Sequence, residues 1–227
     1  MTARVSRQDA RIARLILING PPASGKSTLA RRYVATHDHA SLVDVDSLRM
    51  SLPDWETDEA TRLAARDHAG AEVVQHLGAG RDVVMGQYFG RLGYIVLLED
   101  LARVHGATFV EVILAMDAVL AIDRFRTRRQ VLTERDEHHP ERDIADADVE
   151  AFILDAVERL TRLPTARPES RIIRVEAGTS EDVIDLRLCS VLGETDQPQP
   201  PHRVVSCRDT GAVPVPRPGV EGRGADD

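Results

Sequence analysis

The stretch 15–34, LILINGPPASGKSTLARRYV, constrains the fold more than any other part of the 227-residue chain. An apolar run ends at Asn19, a glycine-bounded loop follows, and a helical pattern begins near Gly25. Gly20 and Gly25-Lys26-Ser27 satisfy G-x-x-x-x-G-K-[ST], in the strand–loop–helix setting that gives this pattern its meaning. The two glycines let the backbone curl until successive N–H groups converge on an anion. The helix that follows adds the positive end of its dipole.

Composition sharpens the reading at one position. Of 29 basic residues 28 are arginine, and Lys26 is the sole lysine. A chain so biased uses arginine wherever only charge is needed, so Lys26 marks a place that a planar guanidinium does not fit. A compact ammonium on a flexible stem can sit between the β- and γ-phosphates of a nucleotide. The Ser27 hydroxyl is placed to ligate Mg²⁺. Gly20, Ala23, Ser24, Gly25, Lys26, Ser27 and Thr28 therefore form the expected nucleotide-binding loop, with ATP and Mg²⁺ as its ligands.

Apolar, β-branched runs alternate with helical patterns along the chain. Strands are expected at 14–20, 41–45, 82–86, 107–114 and 171–177, and helices after Gly25 and at 57–80, 92–106, 117–129, 146–160 and 180–192. In 92–106 the spacing of Leu97, Leu101 and Val104 selects helix over strand. Such alternation predicts an α/β fold with a parallel sheet covered on both faces. Residues 1–13 read as a leader with arginines at 4, 7 and 11, 14–192 as the folded unit, and 193–227 as a Pro/Gly-rich tail without an apolar face. Net charge −8 argues against nucleic-acid or membrane binding by the surface as a whole. No apolar run is long enough to span a membrane. Cys189 and Cys207 lack metal-type spacing and read as free thiols of a reducing cytosol, so a cytoplasmic location is expected.

The acceptor side is less explicit. In LVDVDSLRMSLPDW (42–55), Asp44 and Asp46 stand two apart, on one side of an extended segment leading into the ligand crevice. A carboxylate there can take a proton from a hydroxyl attacking the γ-phosphate. The plainer alternatives are Asp46 as a helix cap and Asp44 in a solvated turn. The third strand ends in Met85-Gly86-Gln87 where many loop-bearing ATPases place an acid. That favours carboxylates supplied from 44 and 46, with Gln87 facing the crevice as an acceptor contact and Gly86 leaving it room. Arg124 and Arg128 lie four apart on one helical face. Arg126, Arg129, Arg135 and Arg142 have acids nearby (Asp123, Glu134, Asp136, Glu141) and read as a solvated ion-pair surface, with His138 and His139 as polar tip residues. Trp55 is either an acceptor-stacking ring or a packing residue.

The loop, the D-x-D-S-L-R following a short strand, and the basic helix resemble the small P-loop kinases. These are the chloramphenicol phosphotransferase-like, zeta-toxin-like and polynucleotide 5′-kinase-like proteins, often labelled AAA family ATPases. The resemblance spans roughly residues 14 to 190. It implies a three-layer α/β/α P-loop NTPase fold with a five-stranded parallel sheet in order 2-3-1-4-5 and a helical lid at about 128–145. It also implies Asp46 as the base for a hydroxyl acceptor, Arg49 as an acceptor and phosphate contact, Arg124 and Arg128 over the phosphates, and the turn at 175–183 around the adenine. The function expected is ATP-dependent transfer of a γ-phosphate to a hydroxyl of a metabolite or antibiotic. Lys26, Asp46 and Arg128 would be catalytic, Asp46, Arg49 and Gln87 would meet the acceptor, and Ser27 with Asp44 would hold the metal. A polynucleotide 5′-hydroxyl kinase, a zeta-type nucleotide-sugar kinase and a nucleotide-dependent regulatory ATPase are the alternatives.

Overall fold

A computed structural model describes residues 11–53, 59–135 and 139–194. The elements run β1 (Arg14–Asn19), α1 (Lys26–Thr36), β2 (Ala40–Leu42), α2 (Val45–Met50), α3 (Glu59–Gly78), β3 (Asp82–Gly86), α4 (Leu92–Val104), β4 (Thr108–Ala115), α5 (Ala118–Glu134), a 3₁₀ turn (Pro140–Asp143), α6 (Val149–Ala166), β5 (Arg171–Arg174) and α7 (Glu181–Leu192). All strand pairings are parallel and the order is β2-β3-β1-β4-β5. The expected sheet is therefore present.

β1 lies at the centre, between β3 (Leu15 opposite Val83) and β4 (Leu15 opposite Phe109). Because both faces are covered, its apolar run does not alternate with polar residues. Ile16 and Ile18 pack with Val84, Val112 and Leu114 beneath α1, α5 and α7. Leu15 and Leu17 pack with Val83, Met85 and Ile113 beneath α3 and α4. On α3, Ala65, Ala69 and Val73 are fully buried, and their four-residue spacing forms the narrow stripe that seats the helix on the sheet.

Some sequence expectations shift. β2 stops at Leu42 rather than Val45, and β5 at Arg174 rather than Ala177. The basic helix runs on to Glu134. α4 is a helix, but its buried face is Ile95, Leu98 and Ala102, whereas Leu97 is 50 % and Val104 70 % exposed. Apolar residues occupy nearly every turn of this helix, so their period does not select a face, and the small Ala102 is what permits close approach to the sheet. Trp55, His138, Cys207, the first ten residues and the tail from residue 195 lie outside the described residues. Among those described, no helix is long and apolar enough to cross a membrane.

Two buried polar contacts tie the strand ends to the loops above them. Glu111, inside β4, accepts from Arg167 Nε at 2.7 Å, Ser170 Oγ at 2.8 Å and Asn19 Nδ2 at 3.3 Å. Asn19, fully buried at the end of β1, accepts from the Gly20 and Phe89 amides at 2.9 and 3.0 Å and donates to the Phe89 carbonyl at 3.0 Å. One side chain thus fixes both the start of the glycine-bounded loop and the segment after β3.

The end of β3 is tighter still. A side-chain carbon on Gly86 would lie 2.8 Å from the Lys26 carbonyl oxygen and 3.0 Å from Ser27 Cα. Both neighbours are backbone and cannot rotate away. Gly86 therefore makes room for the first turn of α1, not for an acceptor as its position after β3 suggested. Gly86→Ala should lower stability by about 1–3 kcal/mol, the usual range for overpacking, and weaken nucleotide binding by displacing Lys26 and Ser27. Denaturant midpoints and ATP titrations of the variant check both.

Candidate active site

The loop from Gly20 to Gly25 joins β1 to α1. Ser24 N–H donates to the Pro21 carbonyl at 3.1 Å, closing a turn inside it. Gly25 has φ +91° and Ala23 φ +61°, the one non-glycine residue with positive φ among the described residues. Left-handed backbone at a residue with a Cβ costs about 1–2 kcal/mol, strain concentrated in the segment that curls. Gly25 also stands at the N-cap of α1 without a side-chain cap, so the first-turn N–H groups keep their donors for an anion. A Cβ on Gly20 would strike Ser24 Oγ at 2.7 Å. That Oγ is buried and has no hydrogen-bond partner. Such an unsatisfied hydroxyl inside an amide-lined curl fits a site built around a phosphate.

Lys26 Nζ is buried and donates to the Pro21 carbonyl at 3.2 Å. Burial lowers its pKa to about 8, against the raising influence of Glu141, Asp46 and Asp44, while Arg128 adds to the lowering. Ser27 Oγ donates to the Gly86 carbonyl at 3.3 Å, which parks the hydroxyl at the crest of β3.

The two aspartates take different positions. The chain turns helical at Val45, so Asp44 and Asp46 do not share an extended segment. Asp44 is the cap of α2, accepting from Ser47 N at 3.2 Å, and its other oxygen meets Arg31 at 3.2 Å. Capping thus belongs to Asp44, not to Asp46 and not to a solvated turn. Asp46 stands in the first turn of α2, where Gln87 Nε2 donates to its Oδ2 at 2.9 Å. Gln87 is buried, so its amide holds one carboxylate oxygen in a fixed direction. Asp46, Lys26, Arg49 and Gln87 line one cleft of 390 Å³.

The segment after α5 closes part of this cleft. Glu141 lines it and pairs with Arg128 at 3.2 Å. His139 also lines it, with Nδ1 accepting from the Glu141 N–H at 3.2 Å. Nε2 then carries the ring proton, so Arg128, 3.3 Å away, is a neighbour of that nitrogen and not its donor. Burial lowers the His139 pKa. Arg124, one turn earlier on the same helix, lines a separate 190 Å³ cleft with Ser24, Thr28 and Thr179. Ser180 caps α7 and Thr179 Oγ1 accepts from the Glu176 N–H. Among the remaining arginines, Arg129 pairs outside its own helix. Arg129 meets Asp146 at 2.5 Å and the Arg142 carbonyl at 3.3 Å.

Sequence reasoning missed Glu141 and His139 as cleft residues. Glu141 was matched with the adjacent Arg142, and only the fold brings it beneath Arg128. It also missed Asn19, which has no motif.

Because folding lowers the Lys26 pKa, the unfolded chain binds more protons between about pH 8 and the ordinary lysine value. The stability lost to burying this charge is therefore regained as pH rises through that window. A bound triphosphate would draw the proton back. ATP binding above about pH 8 should accordingly take up a proton and weaken with rising pH. Calorimetry in buffers of different ionisation enthalpy measures the uptake, and Lys26→Met should abolish it.

Residues 15–149 match the family described as "AAA domain". No curated protein matches in sequence. Among solved structures, a candidate kinase from Chloroflexus aurantiacus is 16% identical, with a TM-score of 0.57 over 81% of this chain and 97% of that one. The Streptococcus pneumoniae PezAT toxin–antitoxin structure is 15% identical, TM-score 0.55, over 82% and 80%. Shikimate kinase from Bacteroides thetaiotaomicron is 18% identical, TM-score 0.52, over 81% and 99%. At such identities these likenesses show a fold, that of the small P-loop kinases. Together with a family match across more than half of the sequence, they place the chain in the AAA domain family of P-loop proteins.

Proposed function

We propose that this chain is a kinase that uses Mg·ATP to phosphorylate a hydroxyl group of a small molecule in the cytoplasm. The observation that carries the proposal is the Asp46 carboxylate, fixed by Gln87 on the wall of the cleft that Lys26 also lines. A carboxylate held there can take the proton of a hydroxyl acceptor as that oxygen attacks the γ-phosphorus.

In this reading the loop amides, Lys26 and Thr28 hold the triphosphate, and Ser27 supplies a hydroxyl to its Mg²⁺. Asp44, the cap of α2, would help Ser27 hold that ion, which would neutralise charge on the triphosphate. The acceptor oxygen forms a bond to the γ-phosphorus as the bond to the β–γ bridging oxygen breaks, and ADP departs. The hydroxyl proton passes to Asp46. Gln87 holds one oxygen of that carboxylate and leaves the other for the acceptor. Lys26 and Arg128 neutralise charge on the moving phosphoryl group, Arg124 faces the nucleotide from the other side, and Arg49 lines the acceptor cleft. Such sites work by positioning and charge stabilisation more than by covalent chemistry.

Asp46→Asn preserves shape and removes the base. It should cut phosphoryl transfer by about 10²–10⁴-fold, the range for a lost general base, and leave ATP affinity within a few-fold. Transfer from γ-labelled ATP to pooled hydroxyl compounds, run beside an ATP titration, measures both. A slow ATPase indifferent to this substitution, with no acceptor labelled, would overturn the kinase reading in favour of a regulatory ATPase.

A further inference from the structure

The cleft that holds Asp46 does not end at Arg49. Arg62, Arg66, Tyr88 and Phe89 line both it and an adjoining cleft of 650 Å³. The second cleft continues along Arg91, Gly93, Tyr94 and Arg159. A molecule lying across the shared wall would have one end at Lys26 and Asp46 and the other among these side chains.

The outer cleft has an unusual charge. Four arginines and one carboxylate, Asp155, line it, in a chain of net charge −8. Asp155 is spoken for, because it takes Arg159 through two hydrogen bonds of 2.6 and 2.8 Å. Arg66 and Arg91 form no ion pair among the described residues. Arg66 instead lies over the Tyr94 ring, 5.3 Å from its centroid. Arg91 is exposed at the start of α4, whose first turn has no side-chain cap. Other arginines do meet acids, as Arg32 meets Glu181, Asp182 and Asp185.

The aromatic residues show the same bias. The chain has eight, and Tyr88, Phe89, Tyr94 and Phe152 line the two clefts. The Tyr88 hydroxyl and the Arg159 side chain both lie over the Cα of Gly90, where a Cβ would meet them. Phe89 is held from below by both backbone hydrogen bonds to Asn19. A wall of ring faces beside unpaired guanidinium groups suits a ring-bearing anion, since planar groups stack on the one while the other forks onto phosphate.

Resting on the kinase reading, we infer that the acceptor is itself a phosphate ester, a small phosphorylated sugar or nucleoside. Its existing phosphate sits between Arg66 and Arg91 while its free hydroxyl faces Asp46. A neutral metabolite or antibiotic would leave these cations without a role and gain nothing from the outer cleft.

Binding and transfer are tested separately, so that the two ideas can fail separately. With the nucleotide site saturated by Mg²⁺ and a non-hydrolysable ATP analogue, the full chain is titrated with ribose 5-phosphate and nucleoside monophosphates, each beside its dephosphorylated parent. At least one ester should bind ten-fold or more tightly than its parent. Arg66→Gln with Arg91→Gln should erase that preference while sparing affinity for the ATP analogue, and Arg126→Gln, an exposed arginine on α5, should not. Equal binding of esters and parents overturns the inference, even if a neutral hydroxyl compound is phosphorylated and the kinase reading stands. A 5′-hydroxyl oligonucleotide that binds more tightly than every monoester, with the steep salt dependence of many phosphate contacts, overturns it in favour of a strand. If the esters bind as expected but neither they nor any other compound is phosphorylated, the anion site stands, while its role as an acceptor site falls with the kinase reading.

Discussion

The Lys26 carbonyl lies 2.8 Å from where a side chain on Gly86 would begin, and that contact governs the top of the sheet. The first turn of α1 sits directly on the crest of β3. Ser27 consequently reaches the Gly86 carbonyl, Lys26 is driven under the loop, and Gln87 emerges beside Asp46. A larger residue would move the donor side and the acceptor side apart together. Two parts of the site far apart in sequence thus share one spacing, set by a missing carbon.

Burial of Lys26 is the second constraint. An ammonium removed from water is unstable unless carboxylates face it, and Asp44, Asp46 and Glu141 do so from two different segments. Asp46 and Glu141 therefore support its charge as well as lining the cleft. Glu141 is shared with Arg128, which links the segment after α5 to the loop through a carboxylate and not through direct contact. A phosphate arriving at Lys26 would compete with the same acids, and the short turn at 140–143 is the element that such competition would move.

The fold was legible because its signals are local and redundant. Each strand of the sheet is a short apolar run set off by turns, and the loop after β1 has little freedom once Gly20, Gly25 and Lys26 are in place. The sheet order was not legible from those runs and came from resemblance to a family. On the acceptor side the sequence named Asp46, Arg49 and Gln87, all of which the structure brings to one cleft. It failed where a contact depends on fold alone. Asp44 and Asp46 were read as extended because nothing in VDVDS announces a helix starting at Val45. The buried face of α4 was misread because apolar side chains surround that helix. Glu141 acts across an intervening segment that no local pairing rule spans, and Gly86 has its meaning only when α1 is laid against it.

The chain's single lysine also bears on how its unfolding can be followed. An endoprotease specific for lysine has one bond to cut, between Lys26 and Ser27, and in the folded protein that bond lies at the buried start of α1. Local fraying at the surface leaves it protected. Scission into two fragments would report only openings large enough to lift α1 from β3, so the residue assigned to hold the nucleotide doubles as a built-in gauge of that opening.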